Sequence, residues 1–495
     1  MALQTTETIV ETCVTQGIDV PLCVDLDGTL LRSDILLECL AESLHCPLVL
    51  LRIPFFMARG RAFLKARLAE ATPPDVTTLP YDPEVLKVIK TERATGRRIV
   101  LITATDRRIA DRISAHLGVF DEVIASDGII NLKGKKKSEE LVRRFGRRGF
   151  SYAGNDESDL AVWKESKSAI VVGNRSLHLP AAAITQVEEV LPGPGRRISN
   201  LLQLFRPYQW SKNLLVFVPL LTANDILSVS NWMRCIGLFF ALSVMASALY
   251  VLNDITDLRS DRAHPRKRTR GLASGNVSLV TGFALLVPGV ALALALAAVN
   301  GSLKLVLLYG VLSFLYSTYF KRFPLIDIFL LAGIYAVRIF AGGVVGGHLV
   351  SVWLLTFSIF LFFSLAAVKR TAELLALPAD NQKRSRRGYF PGDALALEMM
   401  GVSSSFMSCL VLAFYVQSLT VQRNYTSPDL LWGIIVLVLF WQCRLWLATL
   451  RGKMQDDPII YAAKDWVSWL VACAVIAIML LAHSRLFQGV SFLLS

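Results

Sequence analysis

Paired cysteine, a leader pattern and internal repetition are all missing from this chain, and each absence narrows the reading. Eight cysteines are spread over 495 residues, none in CxxC or CxxH spacing and several inside apolar runs. That excludes a zinc-type ligand set and a disulfide framework, and fits small packing residues in a reducing compartment. The opening stretch MALQTTETIVETCVTQGIDV has neither the basic start nor the apolar core of a secretory signal, so the domain behind it is expected to stay in the cytoplasm. No internal repeat is apparent, which argues against a transporter built from two halves. No nucleic-acid module is recognisable either. The formal charge of +13 alone would admit a nucleic-acid partner, but much of the excess sits between apolar spans, where positive-inside topology explains it.

Composition shifts along the chain. Up to about Arg197, apolar and charged residues mix as in a soluble protein; from Leu214 onward long apolar runs alternate with short basic loops. The expected division is a soluble domain over residues 1–195 and a membrane domain over 200–495.

In the soluble part, four short apolar runs read as buried parallel strands: Leu22–Leu26, Ile99–Thr103, Ser151–Gly154 and Ala169–Gly173. Helical patterns separate them, among them Pro83–Thr95, Arg107–Leu117 and Ser138–Phe145. Alternation of this kind predicts an α/β layered domain, Rossmann-like in architecture, whose ligands bind at the C-terminal strand ends. There the first strand runs into Asp25-Leu26-Asp27-Gly28-Thr29. Two carboxylates one residue apart can both reach a phosphate if the chain turns, and Gly28 permits the turn. Thr103 offers a hydroxyl, Lys137 a cation after KGKKK, and the run Gly154-Asn155-Asp156-Glu157-Ser158-Asp159 offers the oxygens magnesium prefers. An insert from about 34 to 81 has the pattern of a small helical cap. It holds LVLLRIPFFMA (Leu48–Ala58) followed by Arg59, Arg61, Lys65 and Arg67. That run is too short to span a bilayer; a membrane-surface contact and a buried cap core both fit it.

Taken together, DLDGTL, Thr103, Lys137 and the Asp156 cluster, in this order, resemble the haloacid-dehalogenase-like hydrolases over roughly the first 180 residues. The resemblance implies that Asp25 attacks phosphorus and that Asp27 protonates the leaving oxygen and later activates water. It implies that Thr103 and Lys137 stabilise the phosphoryl group and that Asp25 and Asp156 hold Mg2+. Asn155 stands where many members have an acid, so either Asp156 replaces that ligand or Asn155 helps through a water. A degenerate, structural domain is the alternative.

Nine spans are expected in the membrane part: Phe205–Leu221, Trp232–Leu252, Leu279–Val299, Leu303–Phe320, Leu325–Val345, Val352–Val368, Leu395–Ser418, Leu430–Ala448 and Trp466–Ala482. Arg206, Gln209, Lys212 and Asn213 interrupt the first, as residues facing a cavity do. Basic residues gather in Asp254–Gly275 and in the loop carrying Lys369, Arg370, Lys383, Arg384, Arg386 and Arg387; the intervening loops have almost none. This alternation puts the N-terminal domain on the cytoplasmic side of the inner membrane and the C-terminus outside.

Asp254, Asp257 and Asp261, spaced by three and four, share one helix face at the end of the second span. Three aligned carboxylates repel, and a cation such as magnesium carrying a pyrophosphate relieves them; an acidic helix end pairing with the basic loop is the plainer alternative. Arg338, deep in a span, reads as either functional or structural.

With Asn253 in front, these residues form NDxxDxxxD, and the stretch from Leu204 to about Ala482 resembles the UbiA prenyltransferase superfamily. The second acidic motif is not intact: Tyr316–Asp327 holds one acid, Asp327, beside Lys321 and Arg322. With FRPYQWSKN, DRAHPRKR and AAVKRTAEL, this departure resembles the decaprenyl-phosphate phosphoribosyltransferase branch. That resemblance implies phosphoribosyl pyrophosphate and a polyprenyl phosphate as substrates and membrane lipid as surroundings, and it allows a homo-oligomer. Mg2+ would sit at Asp254, Asp257 and Asp261, with Asn253 beside it. Lys212, Arg262, Arg266, Lys267, Lys321, Lys369 and Arg370 would serve the remaining phosphates, Tyr316 would donate a hydrogen bond, and Asp327 would line the site. The fused domain would then remove the 5-phosphate, giving polyprenyl-phosphoryl ribose for cell-envelope arabinose synthesis. Isoprenyl transfer to an aromatic acceptor is the competing expectation, and a transporter with a regulatory domain a more distant one.

Overall fold

A computed structural model describes residues 20–193, 198–223, 228–265, 267–376, 387–454 and 457–483. Arg266, Lys383, Arg384, Arg386 and the N-terminal stretch before residue 20 lie outside the described residues. By packing, the chain forms two units: Met1–Phe205 with Val251–Leu285, and Arg206–Tyr250 with Leu286–Ser495.

The first unit is built on six parallel strands: β1 (Leu22–Val24), β2 (Ile99–Asp106), β3 (Glu122–Ser126), β4 (Ser151–Gly154), β5 (Ser168–Gly173) and β6 (Gln186–Pro192). Their order is β3-β2-β1-β4-β5-β6, so the strand carrying Asp25 at its end is interior. Side-chain alternation divides each strand between two cores. Leu22, Val24, Ile99 and Leu101 pack on one face, Cys23, Val100, Ile102 and Tyr152 on the other. All four expected strands are present. β3 and β6 lacked a continuous apolar signal because they are edge strands, where Glu122, Gln186, Glu188 and Glu189 are tolerated facing solvent.

Three helices form the insert: α1 (Ile35–Ser43), α2 (Pro47–Ala58) and α3 (Arg61–Ala71). Asp34 caps α1 by accepting from Leu36 N at 2.8 Å. Next come α4 (Pro83–Ala94), capped by Asp82 with proline at its first turn, and α5 (Arg107–Leu117), closed by Gly118 at φ 62°. Helix α6 (Lys135–Phe145) starts one turn earlier than its apolar pattern, which brings Lys137 into the first turn.

Besides short helices at Leu160–Trp163, His178–Ala182, Ile198–Phe205 and Leu419–Asn424, the helices that follow are α7 (Val229–Thr256), α8 (Leu258–Ala263), α9 (Leu279–Val299), α10 (Leu303–Thr318), α11 (Ile326–Val345), α12 (Val352–Leu375), α13 (Ala394–Val416), α14 (Trp432–Leu450), α15 (Pro458–Lys464) and α16 (Trp466–His483). Among the described residues seven are long and apolar enough to cross a membrane, namely α7, α9, α11, α12, α13, α14 and α16. The other two expected spans are shorter: α10 has 16 residues, and the polar first one folds as a 3-10 helix over Pro207–Phe217 and a short α-helix over Val218–Thr222. The chain is an integral membrane protein.

Candidate functional sites

The strand ends of the first unit gather a buried acid–base centre. Asp25 follows β1, and its Oδ1 accepts from Lys137 Nζ at 2.7 Å and from Leu26 N at 2.8 Å. Lys137 also donates to Tyr152 OH at 2.9 Å, and that hydroxyl donates to Asp159 Oδ1 at 2.9 Å. Asp159 in turn accepts from the backbone N–H groups of Asn155 and Asp156, both at 3.0 Å, so it fixes the loop bearing the expected metal ligands. Asp27 accepts from Ile35 N at 2.9 Å and from Thr105 Oγ1 at 2.9 Å. Thr103 is fully buried, its hydroxyl oxygen accepting from Thr105 N at 3.0 Å. Gly28, at φ 78°, is required twice over: a Cβ there would stand 2.2 Å from Asn155 Nδ2. Thr29 donates to the Asn155 side-chain oxygen at 3.1 Å.

Burial dominates the electrostatics here. It pushes the Asp25 carboxyl up to about 6, against the pull of Lys137. Burial, with Asp34 adding to it, pushes Asp27 up to about 7. Burial opposes the Lys137 charge, but Asp25 and Asp159 outweigh it and hold its pKa above the ordinary lysine value. Asp156 is exposed, and the Ser158 N–H holds its carboxyl below the usual range. Asp25, Asp27, Asn155 and Asp156 thus stand just after the adjacent strands β1 and β4 and Lys137 in the first turn of α6, whereas Thr103, expected at a strand end, lies within β2, which runs on to Asp106. Thr105 and Tyr152 were missed. Asp159, expected among the oxygens for magnesium, instead accepts from Tyr152 and the loop backbone, in capping-box spacing after Asp156.

The acidic motif also belongs to the first unit. Asp254 lies in the last turn of α7, Asp257 at the break before α8, and Asp261 within α8; Asp254 and Asp261 are buried. Arg270 bridges them, with Nη1 3.2 Å from Asp254 Oδ1 and 2.6 Å from Asp261 Oδ2. Asp261 Oδ1 is buried with no hydrogen-bond partner among the described residues. Asn253 is half-buried beside Asp254, and Lys267 starts the 3-10 turn Lys267–Thr269. Arg262 is paired elsewhere: both terminal nitrogens donate to Glu38 of α1, at 2.7 and 2.9 Å. Neither Arg270, which lies 16 residues after Asp254, nor Glu38 had a spacing signal.

Two ionic clusters occupy the second unit. Lys212 and Lys369 both donate to Asp457 Oδ2, at 2.9 and 2.8 Å, and Lys212 Nζ lies 5.8 Å from the Tyr335 ring centre. Burial opposes the Asp457 charge, but the two ammonium groups hold its carboxyl well below the usual range. In the other cluster, Arg370 donates to Asp327 at 2.5 Å, to Glu373 at 2.9 Å and to Tyr316 OH at 2.9 Å. Arg387 joins at Tyr316 OH, 3.0 Å, and Tyr389 OH donates to Asp327 Oδ1 at 2.6 Å. Asp327 is therefore a fully buried partner of Arg370. Lys321 is half-buried in the 3-10 turn Phe320–Arg322. Arg338 donates to Asn213 at 2.8 Å and to Tyr309 OH at 3.0 Å, a buried polar hub between helices.

Comparison with known proteins gives the same two parts. The model of the UbiA prenyltransferase family matches residues 221–459, and that of the haloacid dehalogenase-like hydrolases residues 22–162. An uncharacterised protein, y4nM, of Sinorhizobium fredii is 35% identical over 93% of this chain and 91% of its own length. Nodulation protein NoeC of Azorhizobium caulinodans is 33% identical over 52% of this chain and 85% of its own. The decaprenyl-phosphate phosphoribosyltransferase of Mycolicibacterium smegmatis is 33% identical over 57% of this chain and 92% of its own. The chain belongs to the UbiA prenyltransferase family and carries a haloacid-dehalogenase-like hydrolase domain ahead of its membrane helices.

Proposed function

We propose that the membrane part transfers 5-phosphoribosyl from phosphoribosyl pyrophosphate to a polyprenyl phosphate, and that the fused domain removes the 5-phosphate to leave polyprenyl-phosphoryl ribose. The observation that carries this is the presence of two separate buried carboxylate clusters, each with a cation on it, on one chain. One is the Asp25–Lys137 pair beside Asp27; the other is the Asp254–Asp261 pair with its unsatisfied Asp261 oxygen. The relative named decaprenyl-phosphate phosphoribosyltransferase supports the substrate pair.

In the transfer step a lipid phosphate oxygen bonds to ribose C1 as the bond from C1 to pyrophosphate breaks, and pyrophosphate leaves. Among the described residues no three acids stand grouped for a metal, but the donors at Asp254, Asp257 and Asp261 are oxygen only and the buried Asp261 oxygen lacks a partner, so these residues would hold Mg2+ once drawn together. Asp25 and Asp156, with Asn155 beside them, give a similar oxygen set at the strand ends. Bound Mg2+ supplies charge neutralisation on the leaving pyrophosphate and on the transferring phosphoryl group. Arg270 balances the paired acids; taken by itself, the second unit offers Lys212 and Lys369, held together by Asp457, as cations for phosphate oxygens.

In the hydrolytic step both bonds to Asp25 fall on Oδ1, which leaves Oδ2 to attack phosphorus. The bond from phosphorus to the ribose 5-oxygen breaks, and Asp27 gives that oxygen a proton. A carboxyl near 7 is well placed to give this proton and then to take one from the water that cleaves the aspartyl-phosphate. Lys137 keeps Asp25 ionised. In purified Asp25→Asn protein, ribose transfer should persist and the lipid product should keep its 5-phosphate. Continued loss of that phosphate would remove the assignment.

The family match itself favours a second reading, transfer of an isoprenyl group to an aromatic acceptor, with the soluble domain regulatory or acting on another phosphate ester. Consumption of labelled isoprenyl pyrophosphate in place of labelled phosphoribosyl pyrophosphate would establish it.

A further inference from the structure

Helix α2 has the wrong surface for a soluble domain. Its sequence PLVLLRIPFFMA carries one charge in 12 residues, and none of these residues is buried. Leu48 is 72% exposed, Leu51 79%, Phe55 54% and Met57 62%. Val49 and Ile53 turn inward against the core of the domain, so the outward face is the more apolar one left to solvent. The run thus serves the domain core on one side only, and the cost of hydrating the side chains on the other calls for a cover.

Three features specify the cover. Exposed cations ring the helix at Arg52, Arg59 and Arg61, with Arg59 stacked over the Phe55 ring at 4.6 Å and over the Phe63 ring at 5.4 Å. Guanidinium above an aromatic suits the boundary between headgroup and acyl chain. Second, α2 begins beside the ends of two membrane helices: His45 Nε2 lies 2.8 Å from the carbonyl oxygen of Thr256, the last residue of α7. Third, Ala41 and Leu44 of the preceding stretch pack in one cluster with Val251, Ile255 and Leu279, the first residue of α9. At a rise of about 1.5 Å per residue the helix is long enough to lie along a bilayer surface and too short to cross it.

We propose that α2 is an in-plane membrane anchor, its Leu48–Leu51–Phe55 face set among acyl chains and Arg52, Arg59 and Arg61 set on anionic lipid headgroups. The placement holds whatever the substrate of the domain.

The test uses the full-length protein in nanodiscs, with benzoylphenylalanine in place of Leu51 or Phe55, both exposed, and a control at Leu179, which is 77% exposed on the soluble domain. After illumination, mass spectrometry should find phospholipid adducts at 51 and 55 and none at 179. Adduct yield should rise several-fold from phosphatidylcholine to phosphatidylglycerol discs, and Arg52→Glu with Arg59→Glu should cancel that rise. Absence of lipid adducts at 51 and 55 overturns the proposal, as do adducts to a second copy of the chain or equal lipid adducts at 179.

Discussion

Glu38 and Arg262 form a two-pronged ion pair with side-chain exposures of 3% and 6%, joining the first cap helix to the helix that carries Asp261. Ser33 adds a hydrogen bond to the same carboxylate, and Arg262 Nε donates to Ala273 O at 3.0 Å. A buried pair is costly to break from one side, because the survivor keeps its charge without a partner. Glu38→Ala should therefore destabilise the protein by about 3–5 kcal/mol, read as thermal unfolding in detergent. Replacing both partners with apolar residues of similar size should cost less than either single change. Equal losses for single and double variants would show that the pair does not act as a unit.

Gly28→Ala tests the phosphatase-type centre without touching its charges. The added methyl meets Asn155 at 2.2 Å in a backbone conformation that disfavours a side chain. Hydrolysis of the 5-phosphate should fall by about 100-fold, the scale of a 1 Å misplacement, while ribose transfer stays near the wild-type rate. Parallel loss of both activities would contradict the assignment of two separate centres.

Asp457 holds Lys212 and Lys369 together. Since its folded-state pKa is depressed, its contribution to stability is present above the ordinary carboxylate value and disappears only as pH falls through the depressed one. This group should add no slope to melting temperature between about pH 5 and 8. Asp457→Asn should lower melting throughout that range, and inorganic pyrophosphate should raise it more in the variant than in wild type. The same pyrophosphate shift in both proteins would show that the lysines do not receive phosphate.

Mg2+ should raise the melting temperature of the wild-type protein and less that of Asp254→Asn or Asp261→Asn, because the unpaired Asp261 oxygen gains a partner. The same variants should lose ribose transfer and keep hydrolysis of a soluble phosphate ester. An unchanged Mg2+ shift in Asp261→Asn would remove that carboxylate from the metal set.

Much of this was legible in the sequence because strand ends and motif spacing are local. Asp25 and Asp27 directly after a buried strand, and the three- and four-residue spacing of Asp254, Asp257 and Asp261, could be read locally, although the helix breaks at Asp257 instead of carrying all three acids on one face. The edge strands β3 and β6 did not show, since an edge tolerates the glutamates that break an apolar run. Partners across long loops did not show either: Glu38 reaches Arg262, and Asp457 reaches Lys212, only because the fold returns the chain. Lys212, Arg262 and Lys369 were all read from charge as phosphate ligands, yet charge alone could not say that each has a carboxylate on it.

The most direct test incubates the purified protein with Mg2+, polyprenyl phosphate and phosphoribosyl pyrophosphate labelled in both the ribose and the 5-phosphate, with a lipid-free control for stripping of the donor. The account predicts ribose label in lipid and the 5-phosphate label released as free phosphate. Ribose label absent from lipid contradicts the central claim, and both labels retained on lipid contradict the role given to Asp25.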